Sequence, residues 1–334
     1  MREKYGIIIA EKRKEVKTKK AFKKEVFTMK HNQKSLEFAK QEQLLRRLKI
    51  FFRVCAVCFC ICLCALLVVT VEATEVKQKY DFPDGAAPVS VYNNGRRILD
   101  GESAIIDSVT YVPVRAFSEE MGAESVTWNA KNRTATVKRS GVSINIIDGA
   151  TYIEAAGRIF YSPTGIKNIG DKLFAPIRPL ATALSASVEW DGASRSVLLT
   201  ENAAPFVSGA RFYNETDLYW LSRIISAEAR GEPLLGKIAV GNVVLNRKAS
   251  SSYPNTVYGV IFDRKHGTQF SPVSYGTIYN EPTAESILAA KICLEGYSVS
   301  NEILFFVNPK YATSSWISNN RPFAFRIGNH YFFK

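Results

Sequence analysis

Hydrophobic and polar positions change rhythm three times along this 334-residue chain. Residues 54–71 form an apolar run without a charge, about long enough to cross a hydrocarbon core of roughly 30 Å as a helix rising 1.5 Å per residue. Between residues 88 and 200 the pattern becomes short, β-branched and alternating, which predicts strands separated by tight turns. From Leu218 onward, apolar residues recur at spacings of three and four, the period of an amphipathic helix.

The alternating segment repeats itself. Tyr111-Val112-Pro113-Val114-Arg115 returns as Phe174-Ala175-Pro176-Ile177-Arg178, and Trp128, Arg133 and Val137 return as Trp190, Arg195 and Leu199 with one residue deleted. Such matching over some thirty positions marks a duplication. Each copy predicts a strand, a short helix (113–121; 176–184), a strand about the Trp, a turn (129–132; 191–193) and a closing strand. Residues 89–106 and 142–159 supply further strands, and two such half-units could share one core. Trp128 and Trp190 are expected to pack in that core, in preference to stacking on carbohydrate.

The repeated Val-Pro-x-Arg turn, small helix and Trp strand resemble the copper amine oxidase N-terminal-like domain, and on exported bacterial proteins the resemblance implies a wall-contact module. The chain's three histidines, His31, His266 and His330, all lie outside this segment, so the usual imidazole ligands of copper are missing there. No metal and no cofactor is expected.

Charge divides the chain. Residues 1–53 hold 17 Lys/Arg against six Glu and no Asp, which is +11 of the formal +13. Beside an apolar run this is a topology signal, positive side inward, more simply than a nucleic-acid tail. It predicts a membrane contact through residues 54–71 and an extracytoplasmic C-terminal part, or secretion to the wall if the segment is cleaved. Met29 would begin a more ordinary leader than Met1. Five of the six cysteines fall inside the apolar run, and Cys293 stands alone, so the exported part has no disulfide framework.

In the C-terminal segment, residues 214–217 offer helix N-caps, and Leu218, Leu221, Ile224 and Ile225 form an apolar face. Glu228, three after Ile225 and four after Ile224, falls in line with it. That is a costly place for a charge, suited either to a catalytic carboxyl or to a buried one paired with Arg230 or Arg247. Gly231 suits the helix C-cap. A second helix should run from Pro233 to about Ala249 with Ile238, Ala239, Val243 and Leu245 inward, and Glu232 caps the junction or pairs with Arg230.

The stretches Ala227-Glu228-Ala229-Arg230-Gly231-Glu232-Pro233 and Ala239-Val240-Gly241-Asn242-Val243-Val244-Leu245-Asn246-Arg247 resemble the cell-wall hydrolase domain of the SleB type. So do Gln269-Phe270-Ser271-Pro272-Val273, Asn308-Pro309, Trp316 and Ile327-Gly328-Asn329-His330. The resemblance implies a lysozyme-like α+β fold that cuts peptidoglycan between N-acetylmuramic acid and N-acetylglucosamine, with Glu228 as catalyst. A carboxyl among apolar groups keeps its proton near neutrality and can deliver it to a leaving oxygen. Asp263, Glu281, Glu285, Glu295 and Glu302 read as surface, which leaves no second carboxylate. The expected mechanism is that of a lytic transglycosylase, in which the muramoyl 6-hydroxyl closes on the sugar itself. Gln269, Phe270, Ser271, Asn308, Trp316 and His330 are the candidate substrate contacts, each with a structural alternative. Zinc chemistry lacks ligands, Cys293 reads as a packed thiol, and a non-catalytic glycan binder is the rival of another class.

The expected organisation is a basic tail (1–53), a transmembrane segment (54–71), a linker (72–87), the duplicated domain (88–201), a second linker (202–216) and the hydrolase domain (217–334). The expected fold class is α+β, with the lysozyme-like domain preceded by the small duplicated β/α module and one transmembrane helix.

Overall fold

The computed structural model describes residues 45–46, 48–49, 79–265, 267–312 and 314–334. The chain divides into two compact units, Met1–Thr74 and Glu75–Lys334. The fold of the second is mixed α+β. The expected transmembrane helix is corrected: among the described residues no helix is long and apolar enough to cross a membrane, and residues 54–71 lie outside them. The longest described helix, Leu234–Ala249, has 16 residues and so reaches about 24 Å at 1.5 Å per residue, and it carries three cations, Lys237, Arg247 and Lys248.

The duplicated segment forms strands β1 (Ala87–Pro88), β2 (Ser90–Asn93), β3 (Arg96–Ile98), β4 (Ala104–Ile106) and β5 (Val109–Pro113). Helix α1 (Val114–Glu120) and strands β6 (Ser125–Asn129) and β7 (Thr134–Arg139) complete the first copy. The second contains β8 (Val142–Ile147), β9 (Tyr152–Ala155), β10 (Arg158–Tyr161), β11 (Lys167–Ile169), β12 (Lys172–Pro176), helix α2 (Ile177–Ala183), β13 (Ala186–Asp191) and β14 (Ser196–Glu201). Three sheets result, ordered β1-β4-β5-β12-β11, β10-β9-β8-β7-β6 and β13-β14-β2-β3.

The copies join through their equivalent strands. In the antiparallel pair β5–β12, Val112 faces Ala175, its own counterpart, while Tyr111 faces Pro176 and Pro113 faces Phe174. A pseudo-two-fold axis therefore passes between Val112 and Ala175. Turn geometry repeats as well: Asn94-Gly95 between β2 and β3, and Ala156-Gly157 between β9 and β10, both have two successive positive φ angles, as a two-residue hairpin of this twist requires. Val112, Phe117, Val137, Ala175, Leu180 and Leu199 lie in one shared core. The two tryptophans do not. Trp128 is 47% and Trp190 45% exposed, because β6 and β13 are the edge strands of their sheets and no layer covers their ends.

The C-terminal segment contributes α3 (Gly209–Phe212), α4 (Glu215–Ala229), α5 (Leu234–Ala249), α6 (Val257–Ile261), α7 (Ser271–Tyr275), a 3-10 turn (Thr277–Tyr279) and α8 (Ala284–Leu294). It ends with β15 (Phe305–Val307), α9 (Trp316–Asn320), β16 (Phe323–Ile327) and β17 (His330–Phe333). Helices α4, α5 and α8 pack on one another, and the strands form a sheet ordered β15-β17-β16. Asn214 caps α4 by accepting the Asp217 N–H at 3.0 Å. Its C-cap is Arg230 in the right-handed region, one residue before the expected Gly231.

The two segments share a polar seam. Arg158 in β10 donates to both oxygens of Glu295 at 3.0 and 2.7 Å, and Tyr213 donates to the same carboxylate at 2.7 Å. Glu295, expected at the surface, is buried there. Ile159, the next residue of β10, enters the helical core beside α4 and α8.

The helical core has one point of closest approach. A Cβ on Gly241 would lie 2.7 Å from Cys293 Sγ and 2.9 Å from Ile225 Cδ1, so α5, α8 and α4 meet where a side chain is absent. Because both approaches are below 3.0 Å, overpacking should fall in the upper part of its usual range, about 2–3 kcal/mol, and with about 1 kcal/mol of better helix propensity set against it Gly241→Ala should destabilise the chain in urea by about 1–2 kcal/mol. Cys293→Ala in the same chain should recover part of it. An unchanged midpoint for Gly241→Ala would contradict the contact.

Candidate active site

Glu228 stands in the last turn of α4, on the face that carries Leu221, Ile224 and Ile225, all fully buried. Its own side chain is partly buried, and among the described residues it has neither a hydrogen-bond partner nor a cation. The paired-carboxylate alternative fails for both arginines. Arg230 is exposed, and Arg247 is engaged with the Leu304 carbonyl at 2.7 Å and Gln269 at 3.3 Å, among the rings of Tyr253, Phe270 and Phe305. Burial without compensation lifts the Glu228 carboxyl to about 7. The last turn of α4 has no basic residue, so the partial negative charge of the helix end acts in the same direction.

Four residues on, Glu232 has the opposite setting. It is buried, which disfavours its charge, but its oxygens accept the Asn329 N–H at 2.9 Å and the Asn329 side-chain amide at 3.0 Å, with His330 and Lys237 nearby. These outweigh burial and hold its pKa below the ordinary carboxylate value. The expected partner Arg230 plays no part. Glu232 instead ties the α4–α5 junction to the β16–β17 turn. There Gly328 has φ 57° and leaves no room for a Cβ beside Glu232 Oε2, and Lys237 Nζ donates to the Glu232 carbonyl and, at 2.7 Å, to Glu285.

The remaining candidate residues separate into two groups. Phe270 is 2% and His330 4% exposed, and both pack on Phe306, so neither offers a face to a saccharide. Burial draws the His330 pKa down, with Glu232 opposing it, and among the described residues its Nδ1 has no partner. Gln269 is half-buried, held between Arg247 and the Gly267 carbonyl at 3.1 Å. Ser271 is exposed at the start of α7. Asn308 is half-buried and shapes the turn after β15 by accepting the Lys310 N–H at 3.1 Å. Trp316 is 52% exposed beside Arg321. His266 lies outside the described residues. Cys293 is buried and its thiol is pushed up by that burial, which keeps it protonated.

Sequence reading missed the scaffold work of the α5 motif. Asn242 accepts the Val299 N–H at 2.8 Å and donates to the Tyr297 carbonyl at 3.0 Å, and Asn246 donates to Ser300 and Ile303 carbonyls at 2.9 Å each. These residues, with Arg247, hold segment 297–304 against the helix. The spacing of Asn242 and Asn246, four apart on one helix face, was the available signal. Also missed was an aromatic cluster on α4, in which the half-buried Trp220 meets Phe262, also half-buried, and the exposed Tyr258 and Tyr279 at 5.0, 5.5 and 6.1 Å; only its odd local density of rings could have shown it.

Residues 231–333 match the Cell Wall Hydrolase family model, and residues 92–199 match that of the Copper amine oxidase N-terminal domain. The first match begins three residues after Glu228. A spore cortex-lytic enzyme of Bacillus cereus is 38% identical over 137 residues, which is 40% of this chain and 51% of that protein. One of Bacillus subtilis is 39% identical over 120 residues, 36% of this chain and 38% of that protein. The chain thus spans about half the length, or less, of these relatives. The solved catalytic domain of a germination-specific lytic transglycosylase, SleB of Bacillus anthracis, is 39% identical, with 36% of this chain and 97% of that one covered and a TM-score of 0.34.

The carboxyl environments give a test by stability. Glu228 is raised in the folded state, so between its unfolded value of 4.5 and about 7 the folded chain binds the extra proton, and stability falls as pH rises through that window. Melting followed from pH 4 to 8 should show this loss in the parent chain and its absence in Glu228→Gln. Parallel curves for the two chains would show that Glu228 is not held in an apolar setting.

Proposed function

Since the chain carries a cell wall hydrolase domain at residues 231–333, preceded by a copper amine oxidase N-terminal domain at residues 92–199, we propose that it cleaves the glycan strand of peptidoglycan, with Glu228 as the catalytic acid. The observation that carries this is the carboxyl of Glu228, held to about 7 with no cation beside it among the described residues. At neutral pH a large fraction of it carries the proton that the glycosidic oxygen must receive as the bond breaks.

The sequence of steps follows from having one such group. Glu228 donates its proton to the bridging oxygen between N-acetylmuramic acid and N-acetylglucosamine, and the departing sugar leaves as an alcohol. The carboxylate so formed then takes the proton of the muramoyl 6-hydroxyl, whose oxygen closes on C1 as a 1,6-anhydro ring. No second carboxylate is required, which suits Glu232, since its two oxygens are already committed to Asn329. Gln269, Ser271, Asn308 and Trp316 are the residues we propose for substrate contact, and the exposed Tyr258 and Tyr279 beside Trp220 are further candidates for sugar rings. The cortex of the spore is the form of the polymer favoured by the names of the relatives. Peptidoglycan lies outside the cytoplasm, and that is where we place the folded unit 75–334 at work.

Glu228→Gln keeps the shape of the side chain and removes the proton, so turnover of purified sacculi should fall by about 10² to 10⁴ while the chain still folds. In the parent enzyme kcat/KM should fall as pH rises above about 7, because only the protonated carboxyl begins the reaction. Glu232→Gln should instead lower stability, by about 1–3 kcal/mol for the backbone donor it ceases to satisfy fully, with a much smaller effect on turnover of the folded protein. Mass analysis of the digest separates mechanisms: 1,6-anhydro ends are expected, and reducing ends alone would mean that water is the nucleophile. A Glu228→Gln chain with full activity would refute the assignment, and a parent chain that binds sacculi without releasing fragments would make the protein a binder.

A further inference from the structure

The two copies of the duplicated domain are not alike around their tryptophans. In the second, the Arg178 guanidinium donates to the Val188 carbonyl of β13 at 3.0 Å, a clasp between helix α2 and the Trp190 strand. In the first, the matching Arg115 makes no such bond; it stands over α1 at 3.6 Å from Glu119, more than half exposed. Between α1, the edge strand β6 and the β11–β12 turn lies an open cavity of about 380 Å³, within the roughly 300–1,000 Å³ of small-molecule sites. Trp128 lies on its wall, opposite Ala135 in β7, whose small side chain leaves the indole uncovered. Its charged lining is balanced, with Lys79, Arg115 and Lys172 against Glu102, Glu119 and Asp171, and Asn168 adds an amide.

We propose that this cavity binds a short segment of β-linked N-acetylated glycan, the polymer that the catalytic domain is proposed to cut. A pyranose ring has an apolar C–H face and an equatorial rim of hydroxyl and acetamido groups, and it is matched by one large flat aromatic surface ringed by polar side chains. An aliphatic ligand would not use the polar ring, and a phosphate polymer would meet Glu119 and Asp171 as well as the cations. The mixed lining with no dominant charge suits a neutral saccharide. The proposal rests on the reading of the chain as a peptidoglycan enzyme for the identity of the polymer, though not for the geometry of the site. Its consequence is a second foothold on the strand, more than a bond-breaking site by itself would have.

The test uses the full chain carrying Glu228→Gln, so that bound sugar is not consumed, titrated with the tetramer of N-acetylglucosamine and sedimented with insoluble peptidoglycan. Trp128→Ala should weaken tetramer binding at this site at least tenfold and lower retention on peptidoglycan. Arg115→Ala and Asp171→Asn should each weaken it several-fold, which covers the possibility that loss of the indole disturbs β6. Trp190→Ala, at the clasped copy, should leave both measures unchanged. Equal losses for Trp128→Ala and Trp190→Ala, or no loss for Trp128→Ala with its fold intact by melting, would overturn the proposal. With Glu228 restored, Trp128→Ala should still cut small soluble fragments at the parent rate. Failure of the groove and failure of the catalytic reading are thereby separate results: the first leaves that rate standing, the second removes it in every chain.

Discussion

Much of the helical core depends on one side chain that is missing. Where α4, α5 and α8 meet, Gly241 brings the α5 backbone against Cys293 and Ile225, and nothing larger fits without displacing one of the neighbours. That approach fixes the rotation of α4 about its axis, because Ile225 is locked into the contact. Glu228 follows Ile225 by three residues and inherits its direction. A carboxyl is thereby carried to the margin of the apolar core by packing forces, and among the described residues no hydrogen bond or charge holds it. The lack of partners is also what raises its pKa, since a cation or a hydrogen-bond donor that positioned it would have favoured loss of its proton.

Two carboxyls four residues apart consequently have opposite characters. Glu228 ends a helix, faces apolar neighbours and keeps its proton to about 7. Glu232 sits in the junction before α5, accepts hydrogen bonds from Asn329 and stays ionised. The division of labour is one of environment, as in other enzymes where like groups are driven apart in pKa. Glu232 works through structure: it fastens the C-terminal hairpin to the α4–α5 junction, so the end of the chain is joined to the place where the acid is presented.

What the sequence made legible was whatever is written in local periodicity. The three-and-four spacing from Leu218 placed Glu228 on the inner face of a helix, and the second helix ends at Ala249 where expected. The duplicated Pro-helix-Trp units appear with their turns. Legibility stopped where an outcome depends on distant neighbours. The two tryptophans were assigned to the core on residue type, but edge position is a property of the whole sheet. Glu295 looked like surface because its partner Arg158 is 137 positions away. Phe270 and His330 belong to conspicuous motifs, and those motifs turn out to mark packing about Phe306. Arg247 was offered as a partner for Glu228, yet its guanidinium serves a loop carbonyl and three rings.

The pseudo-two-fold axis between Val112 and Ala175 has a consequence for the history and the freedom of the module. Two separate copies meeting through this pair would form a symmetric dimer, each presenting the same strand to the other, and such a dimer falls apart on dilution. Fusion into one chain makes the second encounter intramolecular, with an effective concentration of about millimolar for a short connection, so the assembly persists however few molecules there are. It also breaks the tie between the halves. A homodimer must keep both faces identical, whereas a tandem repeat can close one cleft with Arg178 and leave the other open beside Trp128, and so give a symmetric scaffold an asymmetric job.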